Sequence, residues 1–368
     1  MRSKTLLAAD LLRKRLEHGD HRLRKLPGER RLAEEMGLSR NTVRAALEQL
    51  VRDGLLIRKR NGRIAVARTL KAEARIRTIG FLAPSVFSKD HHLWFDGVVA
   101  ALEGFEARLR PMTYAHWGDP VIHQVLNGMD GLFFVSQDES LPTWLARKVR
   151  ESSCRTVMLD ADASAAKLPS ILLFPPPSLE RLLTHLQQSG HRRIDCLNTQ
   201  TENAVISERI DIWRRFLHRH GLSGKLRSVS IRRPIETAYA TVRKALGGRR
   251  PMAAAQFCTT GPAAIGAMRA FHEAGLEIGR DVSVCAVNDE GMAPFLLRTL
   301  TALVSPPRVK YLRNAAEWML GDDEWSGPLR VQPQEAPLFI GESTGPAPKD
   351  GWARAQGARS TCARKAKR

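Results

Sequence analysis

The sequence predicts an α/β protein in two parts: a three-helix headpiece closed by a two-stranded wing, then a two-lobed body of parallel sheets covered by helices. Three observations carry this expectation. The first 67 residues hold helical apolar stripes and end on an Asn-Gly turn between two short strand-like runs. From Ile76 onward short apolar runs alternate with amphipathic stretches, the pattern of strand-helix-strand units. The charge divides along the same line: of 58 Lys+Arg and 38 Asp+Glu, residues 1–77 hold 21 against 9 and residues 345–368 hold 7 against 1, which leaves the middle nearly neutral. A basic headpiece and tail on a near-neutral body is the charge map of a nucleic-acid binder with a separate second module.

Taken in order, Thr5 to Leu16 reads as a helix with Leu7, Ala8, Leu11, Leu12 and Leu16 facing inward. Glu29 to Met36 follows with Leu32, Ala33 and Met36 on its inner side, and only Gly37 and Leu38 separate it from Ser39, a good N-cap. The third helix places Val43, Ala46, Leu47, Leu50 and Val51 at i, i+3, i+4, i+7 and i+8, and Gly54 stops it. Its opposite face carries Arg40, Asn41 and Arg44, three donors near the N-terminus, where a recognition helix meets base edges. A short glycine-containing turn between two helices marks a helix-turn-helix. Leu55 to Lys59 and Ile64 to Ala67 then form a hairpin through Arg60-Asn61-Gly62-Arg63, a type I′ signal with a basic tip. Any one piece alone is explained by an ordinary solvated helix; the three linked pieces in this order specify a winged helix-turn-helix.

The run resembles the DNA-binding domain of the GntR family of bacterial transcription regulators. The residues that carry the likeness are Leu26-Pro27-Gly28-Glu29-Arg30, Ser39-Arg40-Asn41-Thr42-Val43-Arg44 and Leu50-Val51-Arg52-Asp53-Gly54-Leu55. The resemblance implies DNA contacts from Arg30, Ser39, Arg40, Thr42 and Arg44, with Asn61, Gly62 and Arg63 at the wing tip. Gly28 stands where the family has serine, and the wing keeps Gly62 but lacks the common Gly-Thr-Phe.

Arg68 to Arg77 has neither periodicity nor turn chemistry and is expected to be a linker. In the body, strands are expected at Ile79–Ala83, Leu132–Val135, Thr156–Leu159, Ile194–Leu197, Val229–Ile231, Ala254–Cys258 and Val282–Val287, with helices near 94–109, 142–152, 178–189, 207–220, 236–246 and 262–274. Proline breaks at Pro175-Pro176-Pro177 and Pro306-Pro307 sit where two lobes would join. No GxGxxG or GxxxxGK[ST] follows any strand, which removes local support for nucleotide binding. The five cysteines are far apart, with no CxxC pair, which argues against a zinc site or a disulfide framework and for a reducing cytoplasm. No stretch approaches the ~18 apolar residues of a membrane span.

The body resembles the effector-binding domain of LacI/GalR regulators and the periplasmic sugar-binding proteins over about 77–345. Asp130-Gly131-Leu132, Ser189-Gly190-His191-Arg192-Arg193-Ile194, Ser207-Glu208-Arg209, Ala263-Ala264-Ile265-Gly266-Ala267, Asp281-Val282-Ser283-Val284 and Glu342-Ser343-Thr344 carry it. The resemblance implies a periplasmic-binding-protein-like fold with a ligand between the lobes, reached by Arg209 and stacked on Trp94, although core packing explains Trp94 equally well. Gly261 and Asn288 replace two carboxylates of the family, and Asp289 is retained. Their loss removes acceptors for sugar hydroxyls and favours an acidic or modified carbohydrate, or another small polar metabolite, over a plain hexose.

The domains expected are 1–67 for DNA binding, 68–77 as linker, 78–345 for the effector, and 346–368 as a basic disordered tail. The expected function is that of a cytoplasmic, homodimeric transcription regulator, a repressor on a palindromic operator, with effector residues Trp94, Arg209, Asn288 and Asp289 and with no metal, cofactor or catalytic role. An α/β enzyme, or a DNA binder whose sensor has lost its ligand, remain the alternatives.

Overall fold

The computed structural model describes residues 4–17, 27–59, 64–66, 76–86, 88–136, 139–229, 233–248 and 252–348. Its contacts divide the chain into Met1–Arg77 and Thr78–Arg368.

The first unit packs α1 (Lys4–Glu17), α2 (Glu29–Met36) and α3 (Arg40–Arg52) against the hairpin β1 (Leu56–Arg58) and β2 (Ile64–Val66). Its core is Ala8, Ala9, Leu12, Leu32, Val43, Ala46, Leu47, Leu50 and Leu56, all buried. Gly37, at φ +61°, closes α2 by donating its N–H to the carbonyl of Glu34, a left-handed conformation that a Cβ would strain. The Ser39 hydroxyl caps α3 by accepting the Thr42 N–H at 3.1 Å. One expectation is corrected here. Leu7 and Leu11 are exposed, at 59% and 45%, because α1 meets its neighbours through Ala8, Ala9 and Leu12, which turns the Leu7–Leu11 edge of the stripe to the outside; the side chain of Leu16 lies outside the described residues.

Among the described residues the body holds two six-stranded sheets. The first, in spatial order β13 (Arg330–Val331), β7 (Ser170–Ile171), β6 (Arg155–Leu159), β5 (Gly131–Val135), β3 (Arg77–Pro84) and β4 (Ala107–Tyr114), is covered by α4 (Lys89–Leu102) and α11 (Val309–Leu320) on one face and by α5 (Pro120–Gly128) and α6 (Thr143–Glu151) on the other. The second runs β14 (Leu338–Phe339), β12 (Thr301–Leu303), β11 (Ser283–Val287), β10 (Ala255–Cys258), β8 (Ile194–Asn198) and β9 (Leu226–Ser228), between α7 (Pro176–Gln188) with α8 (Ala204–Arg219) and α9 (Pro234–Leu246) with α10 (Gly261–Glu273). The central pairings are parallel, and β14 returns antiparallel on β12. Central strands such as β5 and β11 are buried at every residue, as continuous apolar runs under helices on both faces must be.

Among the described residues the chain crosses between lobes three times: after β7 through Pro175, after β12 through Pro306-Pro307, and from β13 to β14. The first two crossings fall at the proline breaks. Proline suits them because it fixes φ and gives up an N–H that has no ladder partner there. The helix expected over 94–109 in fact ends at Leu102, and Gly104 at φ +85° turns the chain into β4. Leu226–Ser228 forms a strand just before the one expected at Val229–Ile231, of which Ser230 and Ile231 lie outside the described residues. The described chain continues past the expected boundary at 345, where the Ala347 N–H bonds the Ser189 carbonyl.

Candidate functional site

In the headpiece, Arg40, Asn41 and Arg44 stand exposed in the first two turns of α3, where unpaired helix N–H groups add positive potential. Both arginines converge on one carboxylate. Glu29, in the first turn of α2, accepts from Arg44 Nη2 at 2.9 Å and Nε at 3.2 Å, and from Arg40 Nε at 3.4 Å. The Arg44 hydrogen bond, with its charge and that of Arg40, holds the Glu29 carboxyl below the usual range against a modest burial cost. Arg30, on the same helix as Glu29, pairs with Glu34 along its own turn. Ser39 and Thr42 share a hydrogen bond at 2.7 Å, so the serine hydroxyl is already spent on the cap. Asn61, Gly62 and Arg63 lie outside the described residues. Glu29 was not singled out by sequence reasoning, although it stands in the Pro-Gly-Glu-Arg run.

In the body, the expected effector residues separate into two groups. Trp94 is fully buried on α4; its indole N–H donates to Asp90 Oδ2 at 3.0 Å, and the Arg308 guanidinium covers its ring at 4.7 Å. Asp90 is the hub: its Oδ1 accepts from Arg308 Nη2 at 3.0 Å and, across the lobes, from Asn288 Nδ2 at 3.2 Å. A buried carboxylate requires such compensation, which is why a cation lies on the face of Trp94. Asn288 is held at φ +62°, and its carbonyl oxygen lies 2.6 Å from where a Cβ on Gly261 would stand. With this turn at 288, position 261 has room only for hydrogen.

Arg209 forms the second group. It is 6% exposed, donates Nη1 to the Thr259 carbonyl at 2.8 Å and lies 5.7 Å from the Phe174 ring centroid, with no carboxylate of the described residues at ion-pair distance. Burial pushes its pKa down even though Asp160, Asp90 and Glu208 act the other way. It borders a crevice with Asp160, Leu172, Phe174, Val205 and Glu208. At the C-terminal ends of neighbouring strands, Thr199 Oγ1, Thr260 Oγ1 and Asp289 Oδ1 are buried with no hydrogen-bond partner among the described residues, while Asp289 Oδ2 accepts the Ala293 N–H. Arg330 bridges Asp162 of the first lobe, at 3.0 Å, and Glu208 of the second, at 2.6 Å, and Glu208 also borders the crevice. Asp90, Arg308 and Arg330 were missed from sequence, where nothing local signals partners over a hundred residues away. No group of three or more His, Cys, Asp or Glu suited to a metal occurs among the described residues.

These geometries define a class: a winged helix-turn-helix headpiece on a two-lobed, binding-protein-like body. Residues 4–66 match the family of bacterial regulatory proteins called the gntR family, and residues 183–344 match the periplasmic binding protein-like domain. The chain joins a GntR-family helix-turn-helix domain to a periplasmic-binding-protein-like domain. A curated relative, the "Probable HTH-type transcriptional repressor ExuR" of Bacillus subtilis, is 23% identical over 227 residues, spanning 60% of this chain and 60% of that protein's length. Among solved structures, a lac repressor dimer bound to operator and the anti-inducer ONPF is 18% identical with a TM-score of 0.64, covering 76% of this chain and 97% of that one. A LacI-family regulator from Weissella paramesenteroides with bound sucrose is 18% identical with a TM-score of 0.63, covering 73% and 99%. At these identities the structures establish the fold.

Proposed function

We propose that the protein is a DNA-binding transcription regulator, a repressor, whose operator affinity is set by a small polar effector between the lobes. The observation that carries this is that a single chain joins an exposed arginine pair at the start of α3 to a buried Arg209 with no carboxylate at ion-pair distance among the described residues. A buried cation without a counter-ion costs free energy that a ligand oxygen can offset. Thr199, Thr260 and Asp289 add unsatisfied groups of the kind a polyhydroxylated ligand meets. With Gly261 and Asn288 in place of acids, this favours a carboxylated, phosphorylated or otherwise modified carbohydrate over a neutral hexose.

In this reading the parts are a DNA-binding domain at 1–67, a linker at 68–77, an effector domain at 78–345 and a basic tail. Two copies form a homodimer, because one headpiece reads few base pairs and a twofold dimer fits a palindrome. The protein works in the cytoplasm as a binding protein rather than an enzyme. The relative called a transcriptional repressor supports the DNA-binding part of this reading, and the sucrose-bound structure supports a carbohydrate-sized effector, though not its charge.

The test is DNA binding by arginine variants. Arg40→Ala or Arg44→Ala should each cost ~1–3 kcal/mol on a duplex selected by the wild-type protein from a random library, and should relax one base position. A double variant that binds as the wild type does would overturn the assignment.

A further inference from the structure

Glu29 occupies a place the reading above does not explain, since a carboxylate beside a DNA-facing helix repels phosphates. The way it binds Arg44 is specific. It takes Nε and Nη2, the side edge of the guanidinium, at 3.2 and 2.9 Å. Of the five N–H donors of an arginine, this leaves both on Nη1 and one on Nη2. The remaining end edge, with one N–H from each terminal nitrogen, is the fork that matches the O6 and N7 acceptors of guanine. Arg40 gives only its Nε, at 3.4 Å, and so keeps both terminal nitrogens free of Glu29.

The placement is rigid at both ends. Glu29 lies in the first turn of α2, where a negative charge suits the helix dipole. The α2–α3 turn is fixed by Gly37 at φ +61° and by the Ser39 cap, and Leu32 of α2 is buried against the apolar face of α3. The Glu29 side chain is 26% exposed, against 49% and 63% for Arg44 and Arg40, so it stands behind the arginines rather than in front of them.

We propose that Glu29 is a positioning residue for sequence reading: it buttresses Arg44, and more weakly Arg40, so that each presents its end edge to a guanine in the major groove. The inference rests on the DNA-binding role proposed above. Fixing two long side chains before binding reduces the rotamer entropy lost on contact. The same carboxylate disfavours phosphate-only binding, so it improves discrimination in both directions.

The experiment compares Glu29→Gln with the wild type on two probes, the duplex selected by the wild-type protein and a random-sequence duplex of equal length, across a salt series. Loss of the buttress should weaken binding to the selected duplex about tenfold, in the range of one good bidentate contact, and flatten its guanine preference. Binding to the random duplex should strengthen about two- to fivefold, because one negative charge leaves the face. A purely structural role would weaken both probes together, and an unchanged ratio of the two affinities, or a parallel rise in both, would overturn the proposal. Thermal unfolding of the variant, followed by circular dichroism, checks that the fold is retained. Arg44→Ala on the same probes separates the two readings: if it too leaves the selected duplex bound at wild-type affinity, the DNA-binding role of α3 falls, whereas a loss there with none in Glu29→Gln removes only the buttress.

Discussion

Glu290 should make the body lose stability as the pH rises towards neutrality. It sits in the turn after β11 at φ +51°, its N–H donating to Asn288 Oδ1 at 3.1 Å. Burial pushes its carboxyl from the ordinary 4.5 up to about 7; Asp90, Asp160 and Asp289 add to this, and Lys89 opposes it. A carboxyl that holds its proton more tightly in the folded state stabilises that state fully below the unfolded value, and the contribution disappears as pH rises through the folded value. At ~1.36 kcal/mol per pH unit, the swing between pH 4.5 and 7 is of order 3 kcal/mol. Glu290→Gln cannot ionise and should lack it. All seven tryptophans lie beyond residue 77, so urea unfolding followed by tryptophan emission reads the body and not the headpiece. The variant should gain on the wild type by about 2–3 kcal/mol between pH 4.5 and 7.5. Parallel stability curves for the two proteins over that range would refute the reasoning.

Gly261→Ala, which at the start of a helix would ordinarily stabilise by ~0.5–1 kcal/mol, should instead destabilise the body by ~1–3 kcal/mol, because its Cβ meets the Asn288 carbonyl at 2.6 Å. Urea midpoints check this, and a midpoint at or above that of the wild type would contradict it. Ser39→Ala should remove the α3 cap at a cost of ~1 kcal/mol, seen as roughly fivefold faster hydrogen exchange in the first turn of α3 in the full chain. Unchanged exchange there would show that the cap adds no stability.

The headpiece was legible because its signals are local: the Ser39 cap, the glycines at 37 and 54, and an apolar stripe within one helix. The parallel strands were legible as buried apolar runs, but β4 was not. Ala107–Tyr114 is an edge strand in which half-buried Ala107 and Leu109 alternate with exposed Arg108 and Arg110 only until Pro111 interrupts the period, an alternation too short to stand out, and Gly104 marks the turn into it. Within the site, Arg209 was visible by resemblance. The Asp90–Arg308 pair was not, since the two residues are 218 apart and meet only when α11 returns to the first lobe. Trp94 shows the limit most clearly. Its sequence context fits a ligand platform, yet the buried Asp90 beside it brings a cation over the ring, so a ligand stacking on that face must displace Arg308.

The most direct test of ligand-controlled DNA binding is the affinity for the selected duplex, read by fluorescence anisotropy, with neutral hexoses, uronic acids and hexose phosphates added in turn to the wild type and to Arg209→Ala. At least one anionic sugar should change the wild-type Kd tenfold or more, in line with a coupling of about 1–3 kcal/mol, and Arg209→Ala should abolish that change while leaving the ligand-free Kd in place. A neutral hexose acting equally on both proteins would contradict the account of the cleft, and a wild-type protein that selects no duplex would contradict the account of the protein.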